Sequence, residues 1–216
     1  MGCVARTVKR KYDSPQRTAR SVETRHRILD AARELMLEIG YRGTTVAAVA
    51  TRAGVNVDTV YELVGRKPVL LRELIEHAIS GTNAAVAAED RNYVKSILAE
   101  PDPRMKLSIY SRAVREIHQR MAPLFLALRD AASTEPEARA VWEQISQRRA
   151  VNMRALARDL RAAGGLRHDL SIDEAADVIW ATNSSELYLL LTVDRSWSPR
   201  RYERWLADAW HRLLLT

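Results

Sequence analysis

The feature that most constrains the fold is a pair of short helical patterns in residues 44–67 that meet at one glycine. Apolar residues recur at helical spacing on both sides of Ala53-Gly54-Val55. A turn this tight needs a residue that tolerates a positive φ angle, and glycine does so at least cost. Two helices joined by about 3–4 residues that include glycine form a helix-turn-helix. We predict this motif, with its second helix at about 56–62 and Asn56 as the N-cap. An ordinary helical hairpin in an all-α core is the alternative.

The chain before this motif supplies what a helix-turn-helix needs to fold. Two helices cannot bury their own apolar face, so a bracing helix is required. Residues 21–39 carry apolar side chains on one helical stripe, and Gly40 is expected to stop that helix. Residues 1–20 carry six Lys or Arg against one Asp and no apolar periodicity, which predicts a flexible basic arm. Such an arm either contacts a polyanion or is a solvated leader.

The distribution of charge favours a polyanionic partner for the N-terminal part. The chain has 34 Lys and Arg against 27 Asp and Glu, a net charge of +7. Residues 1–80 hold 14 of these bases and 9 of these acids, so +5 of the excess lies with the predicted motif. DNA is the partner that this arrangement fits.

The rest of the chain, residues 81–216, is expected to form a second, all-helical domain. Apolar periodicity and capping residues predict helices near 94–99, 104–120, 124–132, 136–163, 172–191 and 199–215. Pro123 should break or kink the chain between the second and third of these. The last two helices are rich in apolar residues, and the first of them is apolar on more than one side. We therefore interpret them as a homodimer interface, with internal burial as the alternative.

Several classes of protein are disfavoured. No run of about 18 apolar residues could span a bilayer, and no apolar segment follows the basic N-terminus as in a secretory signal. The single cysteine, Cys3, allows no intrachain disulfide, and a cytoplasmic location is expected. The five histidines form no H-E-x-x-H motif, and no phosphate loop or G-x-S-x-G is present. We therefore expect no catalytic residues, no metal and no cofactor.

The ordered residues from 40 to 71 resemble those of the TetR family of transcriptional regulators. They run Ile39-Gly40-Tyr41, Thr44-Thr45-Val46, Val49-Ala50, Ala53-Gly54-Val55, Thr59-Val60-Tyr61, Lys67 and Leu70-Leu71. The helical layout of the remainder is similar to that family's ligand-binding and dimerisation domain. The resemblance implies an all-α fold: a three-helix DNA-binding domain at 21–80 and a helical effector-binding and dimerisation domain at 81–216.

The resemblance also assigns roles to individual residues in the motif. Thr45, Tyr61 and Lys67 stand where the family contacts DNA phosphates, and Val57, Asp58 and Thr59 stand where it reads base edges. Three positions depart from the family pattern: Asp58, Glu62 and Val64. Asp58 could accept a hydrogen bond from cytosine, although helix-start chemistry is the favoured role.

The function implied is a homodimeric, ligand-responsive regulator, most often a repressor, that releases a double-stranded DNA operator when a small, mostly apolar effector binds. Polar and aromatic residues in the predicted bundle are the candidate pocket: Tyr110, His118, Met121, Phe125, Trp142, Met153, Trp180 and Asn183. Each could instead be ordinary core packing, and His118 and Asn183 are the strongest candidates because a buried polar group needs a partner. A DNA-binding dimer without an effector and a helical-bundle enzyme are the alternatives.

Overall fold

The computed structural model describes residues 15–81 and 86–216, which form an all-helical fold. The helices over these residues are α1 Pro15–Gly43, α2 Val46–Ala53, α3 Val57–Leu63, α4 Lys67–Ser80, α5 Asn92–Ala99, α6 Pro103–Ala132, α7 Pro136–Ala162, α8 Ile172–Thr182, α9 Ser185–Leu189 and α10 Pro199–Leu214. A 3₁₀ turn at Ala88–Asp90 precedes α5, and a π-helical turn at Leu190–Asp194 follows α9. None of the described helices has both the length and the apolar character needed to cross a membrane.

The first helix differs from the sequence prediction at its start. It begins at Pro15, so residues 15–20 of the predicted arm are helical, while residues 1–14 of that arm lie outside the described residues. Gly40 interrupts the helix where the sequence predicted its end: its φ of 73° and ψ of 172° are not helical, and only one further turn follows to Gly43. The Thr44 hydroxyl and the Thr44 N–H both donate to the Gly40 carbonyl, at 2.9 and 3.3 Å.

The predicted helix-turn-helix is present as α2 and α3. Gly54 adopts a left-handed conformation, φ 66° and ψ 39°, and its N–H group bonds to the carbonyls of Ala50 and Thr51. The Val55 N–H bonds to the Ala50 carbonyl at 3.0 Å, so the turn closes as a C-cap that favours glycine. Asn56 occupies the predicted N-cap position, but its side chain makes no capping hydrogen bond.

One apolar core, which we call the first core, joins the helix-turn-helix to the C-terminal part of α6 and the N-terminal part of α7. Val49 and Val60 bring α2 and α3 into this core, and both are fully buried. Helix α4 buries Leu70, Leu71 and Ile75 in the same cluster. Residues of α6 and α7 complete it: Met121, Leu124, Phe125, Leu128, Ala131, Ala138 and Ile145. The apolar core therefore runs across the boundary predicted within or just after α4.

The second core fills the rest of the bundle and includes the apolar stripe of α10. Tyr202, Leu206, Trp210 and Leu214 are all 0% exposed within one protomer. The Trp210 indole N–H donates to the Thr182 hydroxyl at 2.7 Å. Internal burial therefore accounts for this stripe, so a dimer contact predicted on these helices would have to use their other side chains.

Two predicted helix boundaries were also wrong. Helix α6 runs unbroken through Pro123, since the buried residues on either side of the proline hold the backbone in place. The helix predicted at 172–191 instead ends at Thr182, and α9 restarts at Ser185. The Ser184 side chain accepts from the Leu187 N–H at 3.2 Å, so a local N-cap outcompetes continuation of the helix.

The shared core predicts unequal costs for two otherwise identical substitutions. Leu71→Ala should lower the free energy of unfolding by about 2–5 kcal/mol, because it leaves a cavity where the side chain is fully buried. Leu37→Ala on α1 is the matched control; its side chain is 48% exposed, and it should change stability by roughly 0.5 kcal/mol or less. Urea unfolding followed by circular dichroism measures both, and equal losses would contradict this account of the core.

Candidate DNA-binding surface and effector cavity

The predicted base-reading residues lie at the start of α3, on a face that is open to solvent. Val57 is 38% exposed, Asp58 is exposed, and Thr59 is half-buried at the edge of the helix's packed side. Tyr61 follows one turn later and is 50% exposed. Val60 points the other way and is fully buried, so the core fixes which face of α3 is presented.

Ion pairs hold this surface on its bracing helix. Arg52 of α2 pairs with Glu34 at 3.2 Å and with Glu38 at 3.0 Å, both on α1. The Arg52 guanidinium lowers the pKa of Glu38 by hydrogen bonding to it. Arg25 of α1 is bonded to Glu73 of α4. These pairs tie α2 and α4 to α1, so that Arg52 is engaged within the protein rather than directed at DNA.

Two of the predicted phosphate contacts, Thr45 and Lys67, lie at helix starts. Thr45 is the N-cap of α2; it is exposed, and its oxygen accepts from the Ala48 N–H at 3.1 Å, which leaves its hydroxyl proton available to an acceptor. The Lys67 ammonium lies 4.0 Å from the centroid of the Tyr41 ring. Partial burial lowers the pKa of Lys67, opposed by the nearby Glu135.

The three residues that depart from the family pattern occupy different environments. Asp58 lies in the first turn of α3, where its negative charge interacts favourably with the positive end of the helix dipole. Glu62 is exposed. Val64 ends α3 and packs against the first core, so it contributes to the support of α3 rather than to its exposed face.

A cavity of about 70 Å³, which we call the inner cavity, lies within the bundle. Six of the eight predicted pocket residues line it: Tyr110, His118, Met121, Phe125, Met153 and Asn183. Ile79 of α4 forms part of the same wall, so the helix that follows the DNA-binding motif reaches the cavity.

A hydrogen-bond network connects the polar residues of the inner cavity. His118 Nε2 lies 3.2 Å from Asn183 Oδ1, and the Asn183 amide donates to the Tyr110 hydroxyl. The Tyr110 hydroxyl donates to Met153 Sδ at 3.2 Å, and Ser185 Oγ lies 3.4 Å from His118 Nδ1. With Asn183 in this orientation, His118 donates from Nε2 and accepts at Nδ1. Because the chain breaks between α8 and α9, Asn183 and Ser185 both lie within hydrogen-bonding distance of the His118 imidazole.

Burial sets the protonation of this network. Desolvation lowers the pKa of His118 to about 4, assisted by the charge of Arg149 and opposed by the hydrogen bond that His118 donates to Asn183. Burial raises the pKa of the Tyr110 hydroxyl well above its usual value. At neutral pH both groups are therefore uncharged, as the network geometry requires.

Two of the predicted pocket residues lie elsewhere. Trp142 packs against the first core, and its indole N–H has no hydrogen-bond partner among the described residues. Trp180 is 37% exposed on α8 and does not line the inner cavity. The Arg149 guanidinium carbon lies 4.4 Å from the centroid of the Trp180 ring, and the Trp180 carbonyl accepts from Arg149. Trp180 thus holds a cavity residue in place from outside.

Sequence reasoning missed the charged wall of the inner cavity. Arg91, Arg148 and Arg149 line it, together with Asn152 and Ser185. Consecutive arginines on a long amphipathic helix usually indicate a solvated face, so α7 gave no signal of an inward cation. Ser185 was not predicted either, although it lies only two residues after the predicted Asn183.

A second cavity of about 290 Å³, the outer cavity, adjoins the inner one. Four residues line both: Tyr93, Tyr110, Asn152 and Met153. Apolar side chains of α5 and α7 provide most of the remaining wall, including Val94, Ile97, Leu98 and Leu156. The two cavities together offer a polar end and a larger apolar end.

Within residues 15–81 and 86–216, no group of three or more His, Cys, Asp or Glu side chains is placed so that it could hold a metal ion.

Residues 28–74 match the family model described as bacterial regulatory proteins, tetR family. This segment contains α2, α3 and most of α1 and α4. Comparison with curated protein sequences gives no match.

Solved structures with the same fold cover nearly the whole chain at low sequence identity. NalD, the secondary repressor of the MexAB-OprM multidrug efflux pump in Pseudomonas aeruginosa, is 20% identical with a TM-score of 0.70, over 91% of this chain and 98% of that one. A proposed TetR-family regulator from Rhodococcus sp. is 17% identical with a TM-score of 0.68, over 90% and 99%. A proposed regulator from Saccharomonospora viridis, solved in complex with choline, is 20% identical with a TM-score of 0.67, over 90% and 98%.

The lowered pKa of His118 predicts how stability depends on pH. Histidine has a pKa of about 6.5 in an unfolded chain, against about 4 for buried His118. The unfolded chain therefore binds a proton that the folded chain does not, so His118 contributes stability above pH 6.5 that is lost as the pH falls towards 4. We expect the loss to reach roughly 3 kcal/mol. Unfolding of the wild type and of His118→Gln, measured from pH 7 to 4.5, should show a shallower decline in the variant; parallel curves would refute the assignment.

Proposed function

We propose that this chain, a TetR-family transcriptional regulator, acts in the cytoplasm as a homodimeric repressor that leaves its operator when a small molecule enters the bundle. The main support for DNA binding is the start of α3. There Val57, Asp58 and Tyr61 are exposed on a helix that buried Val60 anchors to the core. A helix presented in this way can enter the major groove with its N-terminal residues at the base edges. In the proposed dimer two such helices would lie about 34–36 Å apart on a pseudo-palindromic site.

The proposed roles of the surface residues follow from their exposure. Val57, Asp58 and Thr59 would face base edges, while Thr45 and Tyr61 would offer hydroxyl groups to phosphates. Lys67 would add a cation at the start of α4, steadied by the ring of Tyr41.

Helix α4 is the proposed connection between effector and DNA. Its first residue, Lys67, lies beside the DNA-binding motif, and Ile79 near its end lines the inner cavity. Arg148, which also lines the cavity, is bonded to Glu76 on the same helix. A ligand that displaces Ile79 or Arg148 would therefore bias the position of α4. Release then requires only that the ligand bind the two positions with different affinity.

The dimer contact is proposed on the apolar side chains that α8 to α10 leave exposed. Trp180 is 37%, Leu190 51%, Val193 63% and Leu213 45% exposed. These lie in the regions at 172–191 and 199–215 named from the sequence, or directly after the first, but they are different residues from the stripe buried inside the protomer. Large exposed apolar side chains grouped on successive elements are typical of an interface.

The competing proposal is a DNA-binding dimer with no effector. The paired cavities argue against it, because a bundle that serves only for dimerisation gains nothing from empty space lined by buried polar groups. An enzymatic role is weaker still, since the family matched by residues 28–74 is one of regulatory proteins.

Substitutions on the DNA-binding surface should distinguish a charged phosphate contact from an uncharged one. Lys67→Ala should weaken binding to every sequence and reduce the slope of log affinity against log salt by about 1, because one phosphate neutralisation is lost. Tyr61→Ala should weaken binding without changing that slope, since it removes no cation. Fluorescence anisotropy on an operator selected from random DNA gives both quantities.

Lys95→Ala is the matched control for this experiment. Lys95 lies on α5 and pairs with Asp90, so its loss should leave DNA affinity unchanged. Unaltered binding by both Lys67→Ala and Tyr61→Ala would refute the proposed surface.

A charge placed in the proposed dimer contact should dissociate the protein. Leu190→Arg should raise the dimer dissociation constant about a hundredfold, because an unpaired buried charge costs roughly 3 kcal/mol or more. Leu37→Arg, at a similarly exposed leucine on α1, should leave assembly unchanged. Sedimentation equilibrium distinguishes the two, and a dimer of unchanged strength in Leu190→Arg would place the interface elsewhere.

A further inference from the structure

The inner cavity is surrounded by positive charge. Three arginines line it, and no aspartate or glutamate does. His118, the remaining titratable base in the wall, is uncharged at neutral pH. A ligand in this space therefore meets cations and neutral hydrogen-bonding groups, but no carboxylate.

Arg149 is the least compensated of these cations. One of its terminal nitrogens bonds to the Trp180 carbonyl, and its guanidinium stacks against the Trp180 ring. Its Nε–H group is buried and has no hydrogen-bond partner among the described residues. Within that same part of the chain, no carboxylate lies within 4.0 Å of the guanidinium. The nearest acids are engaged elsewhere, as Glu186 pairs with Arg129 at 2.5 Å.

The other two arginines contrast with each other. Arg91 is 8% exposed, and its Nε–H donates to the Val86 carbonyl at 3.2 Å, without an ion pair among the described side chains. Arg148 is bonded to Glu76, so its charge is neutralised by α4. The cavity thus contains two guanidinium groups in need of an anion and one already paired.

Arg91 is buried and Arg149 is half-buried, and a cation shielded from water is energetically costly unless an anion pairs with it. Arginine cannot escape the cost by losing its proton, because its pKa is too high. Its planar fork of N–H groups matches a carboxylate, which can accept two parallel hydrogen bonds.

We propose that the effector is an organic acid whose carboxylate binds Arg149 in the inner cavity, while its apolar body fills the outer cavity. This inference rests on the proposed function, since it specifies the chemistry of that same effector site. The inner cavity, of about 70 Å³, is the smaller of the two, which suits a head group. The outer volume of about 290 Å³, walled by Val94, Ile97 and Leu156, suits an aliphatic or aromatic body.

The acids of the outer cavity fit this orientation. Asp159 pairs with Lys106 at 2.7 Å, so its charge is already balanced. Glu89, the other acid in that wall, is exposed to solvent. A carboxylate is therefore favoured at the inner end and disfavoured at the outer end.

A matched series of probes tests the charge of the head group. Phenylbutyrate, phenylbutanol and phenylbutylamine share one body and differ only in being anionic, neutral or cationic. Isothermal titration of the full-length protein should show the acid binding about tenfold or more tightly than the alcohol, because a charge-assisted pair replaces a neutral hydrogen bond. The amine should bind more weakly than either.

Variants assign the effect to Arg149. Arg149→Met should abolish the advantage of the acid while changing the affinity for the alcohol little, since the methionine retains an apolar stem. Arg154→Met is the matched control: Arg154 lies on the same helix, is half-exposed and pairs with Asp173, so the preference for the acid should persist. Arg149→Lys keeps the charge but loses the fork and should give an intermediate preference, which provides a second variant should Arg149→Met fail to fold.

Each outcome either supports or overturns the inference. Equal affinity for the acid and the alcohol, or a preference retained in both Arg149 variants, would overturn it. So would the failure of benzoate, phenylacetate and phenylbutyrate alike to bind at millimolar concentration. Acid binding that leaves DNA affinity unchanged would support the inference but refute the proposed coupling between effector and operator.

Discussion

The burial of α4 is the constraint on which the rest of the structure depends. Leu70, Leu71 and Ile75 lie fully inside a core that also holds Val60 of α3 and Leu128 of α6. Cores of this kind are close-packed and do not deform continuously. Movement at the cavity end of α4 must therefore carry the DNA-binding helices with it as a body or separate them from the bundle.

Much of the fold could be predicted from the sequence because local chemistry determined it. Gly54 supplies a positive φ angle, the Asp102 and Ser171 side chains cap α6 and α8, and prolines stand at the starts of α6, α7 and α10. The errors arose where tertiary contacts or side-chain competition prevailed. Packing on both sides of Pro123 kept α6 continuous, and the cap at Ser184 divided a helix whose apolar pattern was unbroken.

The candidate sites were predictable to different degrees for a related reason. The exposed residues of α3 follow from the motif, because a short helix with one buried face leaves few alternatives. The rule that buried polar groups need partners singled out His118 and Asn183, and the structure places their side chains within hydrogen-bonding distance of each other. Arg149 could not be found in this way, since an arginine on an amphipathic helix is ordinarily solvated. Trp142 was misplaced because size and aromaticity do not reveal which of two cores a side chain joins.

The turn at Gly54 has a consequence for how this protein can vary. A Cβ atom built on Gly54 would meet no heavy atom within 4 Å, yet the backbone there is left-handed. Replacement is thus limited by torsional strain rather than by space, and the penalty should be similar for small and bulky side chains. Asparagine, which tolerates this conformation best after glycine, is the substitution that drift would sample with least damage. The turn between α2 and α3 therefore has room for a side chain, but its backbone conformation accepts few residue types.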